Sequence, residues 1–323
     1  MEVKHAVGPY PSRRANGYIA IVDLVGPPKA CPYNCVYCPI KGEGVKTTNI
    51  KRLVDSNRVL RDFEQLMDNV GGGVKAVLIN GMGDPLLNEF LPEIVNSLIR
   101  TLRARKLDAE LWIKTTLQAY AVVNKRLNLT NVNRVYVVFD AGSSEDYAAI
   151  NEPLHGLKLS TLINYLRNLD EREKVIAELN LISIGESPLN WSQESLELIA
   201  ISYNKAGIRK AIVKVIDRPP RLNGVRPAPE AVLRRVAESF TEQGIETQLL
   251  LEKPQFHYSE VVVPSIIDLY SLLLRKPMTL TELRHSFRVP YSDLWRAIDS
   301  LMNHGIVEEV VWRGRVFYRG VTS

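Results

Sequence analysis

From residue 18 onward, short apolar runs alternate with longer stretches in which apolar residues recur every three or four positions. The short runs, at residues 18–22, 76–80, 110–115, 134–139, 175–181, 210–215 and 246–251, are rich in Val, Ile and Leu and predict strands. The longer stretches, at 52–69, 88–105, 119–127, 158–169, 192–206 and 230–242, predict helices. Regular alternation of this kind argues an α/β fold with a parallel sheet and helices outside it. The pattern fits an open sheet and a barrel equally well.

The alternation stops near residues 254–264, where Pro, Gln, His, Tyr and Ser read as a linker. Beyond it, 266–274, 281–287 and 291–304 have helical periodicity, and 306–318 holds two β-like runs around Arg313-Gly314-Arg315. Three helices and a glycine-tipped hairpin predict a winged helix-turn-helix. The chain therefore divides into a β–α domain at 1–258 and a small domain at 264–323.

Composition changes this picture little. Of 323 residues, 46% are hydrophobic and 24% charged, as in ordinary globular proteins. No apolar run approaches the ~20 residues of a membrane span, and residues 1–10 lack the apolar core of a secretory signal. A cytoplasmic protein without a membrane partner is expected. The net charge of +5 is concentrated: residues 1–60 carry nine Lys or Arg against four acids. Such a surplus favours an anionic partner, whether phosphate, carboxylate or RNA, although a solvated surface has the same statistics. Residues 265–323 carry eight basic residues against six acids, a weak footprint for DNA even with Arg313, Arg315 and Arg319 on the wing.

The three cysteines change it most. Cys31, Cys35 and Cys38 lie within eight residues, in a loop flanked by Pro27-Pro28 and the glycines at 42 and 44. An odd count in a chain without a secretory signal argues against disulfides. Thiolates are the usual ligands of iron–sulfur clusters. Three bind three irons of a [4Fe–4S] cube and leave the fourth free to chelate the amino and carboxylate groups of S-adenosylmethionine (SAM). One electron passed to the sulfonium then gives a 5′-deoxyadenosyl radical that abstracts hydrogen from a substrate. A structural zinc site is the competing reading, but it needs a fourth ligand, and the nearest histidines outside the loop are His5 and His155. With no fourth cysteine, a second cysteine-ligated cluster is not expected.

The C-x3-C-x2-C spacing, with Tyr37 before the last cysteine, resembles the signature of the radical SAM superfamily. Its surroundings are similar to the iron–sulfur oxidoreductases related to tRNA wyosine synthases. The resembling stretches are Gly8-Pro9-Tyr10-Pro11-Ser12-Arg13-Arg14, Pro28-Lys29, Phe139-Asp140-Ala141, Ile150-Asn151-Glu152-Pro153 and Asp217-Arg218-Pro219-Pro220. The resemblance implies a partial six-unit βα barrel with cluster and SAM at the C-terminal edge of its strands, an oxidoreductase-type radical enzyme, and a ferredoxin or flavodoxin as electron donor.

On that resemblance, Tyr37, Gly81, Gly83, Asp84, Thr115 and Asp140 become cofactor-binding candidates. Asp84 stands where relatives carry Glu in Gly-Glu-Pro, and would accept a hydrogen bond from the SAM ammonium. By itself, Gly83-Asp84-Pro85 reads as a turn, and Asp140 as a cap or turn acid before Ser143. Thr115 and Thr116 end a strand. Arg13, Arg14, Asn151 and Arg218 are substrate-binding candidates, with Arg221 extending the basic rim and His155 nearby; guanidinium groups suit phosphate or carboxylate.

Three functions compete. One is radical modification of tRNA or another RNA, or of another anionic substrate. The second is a redox regulator whose cluster controls the winged helix on DNA, and the third is radical modification of a peptide or protein partner. A barrel-length β–α region argues against a mere sensor.

Overall fold

The computed structural model describes residues 2–42, 44–251 and 262–322. Eight strands form one sheet in strict sequence order: β1 (Ala6–Ser12), β2 (Gly17–Val22), β3 (Val74–Ile79), β4 (Glu110–Thr115), β5 (Arg134–Val138), β6 (Val175–Asn180), β7 (Lys210–Lys214) and β8 (Glu246–Leu250). From β2 to β8 every pairing is parallel, and β1 runs antiparallel to β2. Seven of the eight were legible as apolar runs. The exception is β1, whose Gly8, Pro9 and Pro11 dilute the strand signal and disturb its register between Val7 and Tyr10.

The helices are α1 (Ser56–Val70), α2 (Leu91–Ala104), α3 (Gln118–Ala121), α4 (Ser144–Asn151), α5 (Leu159–Arg167), α6 (Gln193–Ala206) and α7 (Glu230–Glu242). The longer helices each bury one apolar stripe; α1, for example, buries Val59, Phe63, Leu66, Met67 and Val70. The helix expected at 119–127 is only the short turn α3. The exposed Val122 and Val123 have nothing to pack on, and Asn124 turns into the left-handed region.

The sheet is curled enough for its two edges to be bridged. Arg13, just after β1, donates to the carbonyl of Leu250 at the end of β8 at 2.8 Å, and to Val215 beyond β7 at 3.1 Å. Arg14 reaches Glu178 on β6. The β1–β2 turn thus crosses the open side of an incomplete barrel.

The proposed linker at 254–264 and the boundary after residue 258 fall mostly outside the described residues; Val262, on its far side, is buried and donates its amide to the Phe287 carbonyl. Then come α8 (Ile266–Arg275), α9 (Leu280–Phe287) and α10 (Tyr291–Asn303), followed by the hairpin β9 (Val307–Trp312) and β10 (Arg315–Gly320). Capping boxes at Ser265–Asp268 and Thr279–Glu282 start the first two helices. Both of these helices pack on β1. Arg275, at the end of α8, donates to Asp23 just beyond β2 at 2.8 Å, with both side chains fully buried. Among the described residues no helix is long and apolar enough to cross a membrane.

Candidate functional site

The chemistry-bearing residues collect where the parallel strands end. The cysteine loop follows β2, Asp84 follows β3, Thr115 closes β4, Asp140 follows β5, Asn180 closes β6 and Lys214 closes β7. This is the end at which βα loops build sites, because the loops there are held on a rigid frame.

Cys31, Cys35 and Cys38 are free thiols, each partly accessible, and all three line one cavity with Lys29, Tyr37, Gly81, Gly83, Asp84 and Thr115. Three segments strap the loop in place. In front, the Ala30 amide donates to Met82 and the Asp84 amide to Ala30. Behind, the Asn34 and Val36 amides donate to the carbonyls of Asn151 and Ile150, and the Leu154 amide to Pro32. From beyond β7, the Leu222 amide donates to Val36, while Arg221 bonds the Asn34 carbonyl at 3.0 Å and Glu152 at 2.6 Å. The sequence stretches around 150–153 and 217–221 therefore act on the same short loop, although they lie more than a hundred residues from it.

Packing leaves no room at the two glycines. A Cβ on Gly83 would lie 1.6 Å from the Ala30 carbonyl oxygen, and one on Gly81 would lie 2.1 Å from Cγ of Asp23. Gly83→Ala should therefore tear the Ala30 bridge and displace Cys31; the expected result is a melting temperature lowered by several degrees, read by calorimetry. An unchanged melting temperature would show that the loop is not braced here.

Asp84 and Asp140 are the two buried braces. Asp84 accepts from the Leu86 amide (3.0 Å), the Thr115 hydroxyl (2.8 Å), and the amide and hydroxyl of Thr116 (2.8 and 2.5 Å). Asp140 accepts from the Tyr37 hydroxyl, from Asn151 Nδ2 at 3.1 Å, and from the Asn180 amide and Nδ2 at 2.7 and 2.9 Å. Four donors fill a carboxylate's acceptor positions, so each side chain ties strand ends together. The cap expected of Asp140 belongs to Ser143, whose side chain accepts from the Asp146 amide. Burial pushes both carboxyls above their usual range, and the donors oppose it.

The thiols share this buried setting. Burial, with the Asp84 charge next, raises the Cys31 thiol well above its ordinary value; burial, then Asp140, pushes Cys35 up to about 12. Asn151 Nδ2 lies 3.4 Å from Cys35 Sγ. Thiols so placed are poor free nucleophiles and ionise when a metal displaces the proton. Among the described residues no three His, Cys, Asp or Glu side chains are placed to hold a single metal ion, and no histidine lines the cavity. Zinc would need four donors at ~2.3 Å from sulfur around one point. The three cysteines share the cavity lining with Asp84, whose oxygens are already taken by four donors.

The basic candidates turn inward. Arg218 is buried, paired with Glu282 at 2.5 Å and with the Tyr10 hydroxyl at 2.7 Å. Arg13 closes the sheet edges and pairs with Asp217 at 3.2 Å. Arg14 pairs with Glu178 at 2.5 Å. His155 is exposed and makes none of these contacts.

Sequence reasoning missed the interior of the barrel. Glu178, fully buried, is gripped by Arg14, Lys114 (2.7 Å) and Lys214 (2.6 Å), and those cations hold its carboxyl well below the usual range against the cost of burial. Three cations oversupply one carboxylate. Burial accordingly pushes Lys214 down to about 7, a shift Glu178 opposes and Lys114 reinforces. Lys29, buried, bonds Asn34 at 2.9 Å inside the cysteine loop. The available signal was a charged residue near the end of otherwise apolar strands, as in Leu-Trp-Ile-Lys114 and Ala-Ile-Val-Lys214.

The incomplete barrel, with its cysteine loop after the first parallel strand, has a counterpart among solved structures. A radical SAM methyltransferase from Sphaerobacter thermophilus shares it with a TM-score of 0.54 at 14% identity, over 74% of this chain and 67% of that one. In sequence the chain is 22% identical to a UPF0026 protein of Methanocaldococcus jannaschii over 318 residues, 97% of this chain and 95% of the relative. It is also 22% identical to a UPF0026 protein of Helicobacter pylori over 305 residues, 92% of this chain and 91% of the relative. No protein-family model matches.

Proposed function

We propose that Cys31, Cys35 and Cys38 hold a [4Fe–4S] cluster that leaves one iron to S-adenosylmethionine, making the chain a radical SAM enzyme acting on an anionic substrate. The supporting observation is that all three thiols face one cavity at the C-terminal rim of a half-barrel. Bound there, cluster and SAM would supply one-electron reductive cleavage of a sulfonium and hydrogen-atom abstraction from substrate. The chain's own residues position and shield this chemistry. Buried Tyr33, Val36 and Ile40 keep water from the loop, while Tyr37, fixed by Asp140, walls the cavity. In this reading Gly81, Gly83, Asp84 and Thr115 shape the SAM side. A ferredoxin or flavodoxin delivers the electron.

The substrate reading leans away from RNA laid along a basic surface, because Arg13, Arg14 and Arg218 point into the molecule. What supports an anionic group is the charge inside the barrel. Residues 266–320 are read as a winged helix serving the barrel rather than DNA, since Arg319 and Arg315 of its hairpin lie 2.8 Å from Glu308 and 3.7 Å from Glu282.

Anaerobic reconstitution with iron, sulfide, SAM and dithionite is expected to yield 5′-deoxyadenosine and about four irons per chain. An intact cluster without that product, or stoichiometric zinc in its place, would reject the proposal.

A further inference from the structure

A second cavity adjoins the thiols and has a charge balance that the radical chemistry does not explain. It is lined by Arg14, Lys114, Lys214, Lys276, Asn180 and Tyr37, among others, and shares Tyr37, Lys114 and Lys276 with the cysteine cavity. Six basic side chains thus line this space, Arg13 and Arg218 among them, and so does Asp217, which pairs with those two, while Glu282 also pairs with Arg218. Glu178 is the carboxylate paired with three of them. Lys276 has no carboxylate within ion-pair distance among the described residues. The buried Nε of Arg14 has no hydrogen-bond partner among the described residues, and its guanidinium instead lies over the Tyr136 ring. Asp140 stands behind Tyr37 and Asn180, but its oxygens are occupied by four donors.

Gathering ammonium groups away from water is costly unless they are compensated. Neutral residues of similar length would pack the barrel more cheaply. Burial pushes Lys276 down to about 7, with Lys114, Arg14 and Lys214 adding to the shift, which is the response of a cation crowded by its own kind. The chamber has donors in excess of acceptors and positive charge in excess of negative. It lacks an anion.

Lys276 comes from a different part of the chain than the rest. It follows α8 directly after Arg275, whose buried bond to Asp23 fixes the end of that helix beside the cysteine loop. The C-terminal unit therefore completes the chamber as well as covering it.

We propose that this chamber is a binding site for a small oxyanion, the carboxylate or phosphate group of a substrate, and that Lys276 of the C-terminal unit completes it. The inference rests on the cavity and its charges, and its test uses neither SAM nor reductant, so it can fail or succeed apart from the radical reading. The probes are sodium phosphate and sodium malonate, titrated calorimetrically into the full-length chain at constant ionic strength set with chloride. The wild type should bind at least one of them, with a melting temperature raised by about 3–6 °C at saturating anion. Lys276→Gln should weaken that binding roughly tenfold, as expected for one lost charge-assisted contact. Lys276→Arg, which keeps the charge, should retain it, and so should Lys205→Gln on the exposed face of α6. Preference for phosphate marks a phosphorylated substrate, and preference for malonate a carboxylate. No binding of either anion above chloride, or equal binding by wild type and Lys276→Gln, overturns the proposal.

Discussion

In the proposed enzyme, replacing any one of Cys31, Cys35 and Cys38 by alanine is expected to reduce 5′-deoxyadenosine formation to background and to remove the visible absorption of the reconstituted cluster. The effect should be total because the site has no spare ligand. The chain holds three cysteines in all, and no histidine lines the cavity among the described residues. The fold should survive, since the thiols are only partly buried and the loop is strapped by backbone bonds from residues 82, 150–154 and 222 rather than by sulfur. Far-ultraviolet circular dichroism should therefore match the wild type while iron and sulfide content fall. A variant that keeps its iron and its product would show that its cysteine is not a ligand.

The second large effect is on stability. Arg275→Met is expected to cost about 3–5 kcal/mol, because it strands a buried charge. Asp23 is fully buried; one oxygen accepts from the Val25 and Gly26 amides at 2.9 and 3.1 Å, and the other receives Arg275 Nε at 2.8 Å. Without the guanidinium, the carboxylate faces the interior uncompensated. Gly81 packs against the same side chain, so the damage should spread to the loop that pairs with Ala30. The double variant Asp23→Asn, Arg275→Met removes both charges and should recover most of the loss, since replacing both partners costs far less than orphaning one. Urea unfolding of the three variants measures this directly. If the single variant lost less than 1 kcal/mol, the pair would not be holding the C-terminal helices to the barrel.

Glu178 gives a third, pH-dependent expectation. Its folded carboxyl is depressed, so its contribution is present above the unfolded value of about 4.3 and is lost as pH falls through the lower folded value. Glu178→Gln should thus destabilise the chain most at neutral pH, and the difference from wild type should shrink under strong acid. Stability curves of the two proteins between neutral and acid pH check the sign.

Much of this was written in the chain's local order. Strand and helix periods are local properties, so β2 to β8 and most of the helices could be read to within a few residues, Glu110–Thr115 and Glu230–Glu242 without error. The three thiols within eight residues stood out for the same reason: the signal is short-range. Where the local signal is diluted, as in β1, or stops short, as in α3, the reading failed.

Other features depended on residues that meet only after folding. Arg14 and Glu178 are 164 residues apart, and Arg275 and Asp23 are 252 apart. In a sequence, Lys114, Lys214 and Lys276 are indistinguishable from surface lysines, because desolvation and pairing are properties of the assembled interior. The sequence by itself determined the alternating elements and the grouping of three thiols on one loop. Tertiary structure alone decided that Arg13, Arg14 and Arg218 face inward, that Asp84 and Asp140 are braces with their acceptors filled, and that the C-terminal unit places a lysine beside the thiols. The reason is that charge burial is settled by what curls around a group, and here the curl of the sheet brings distant strands to one point.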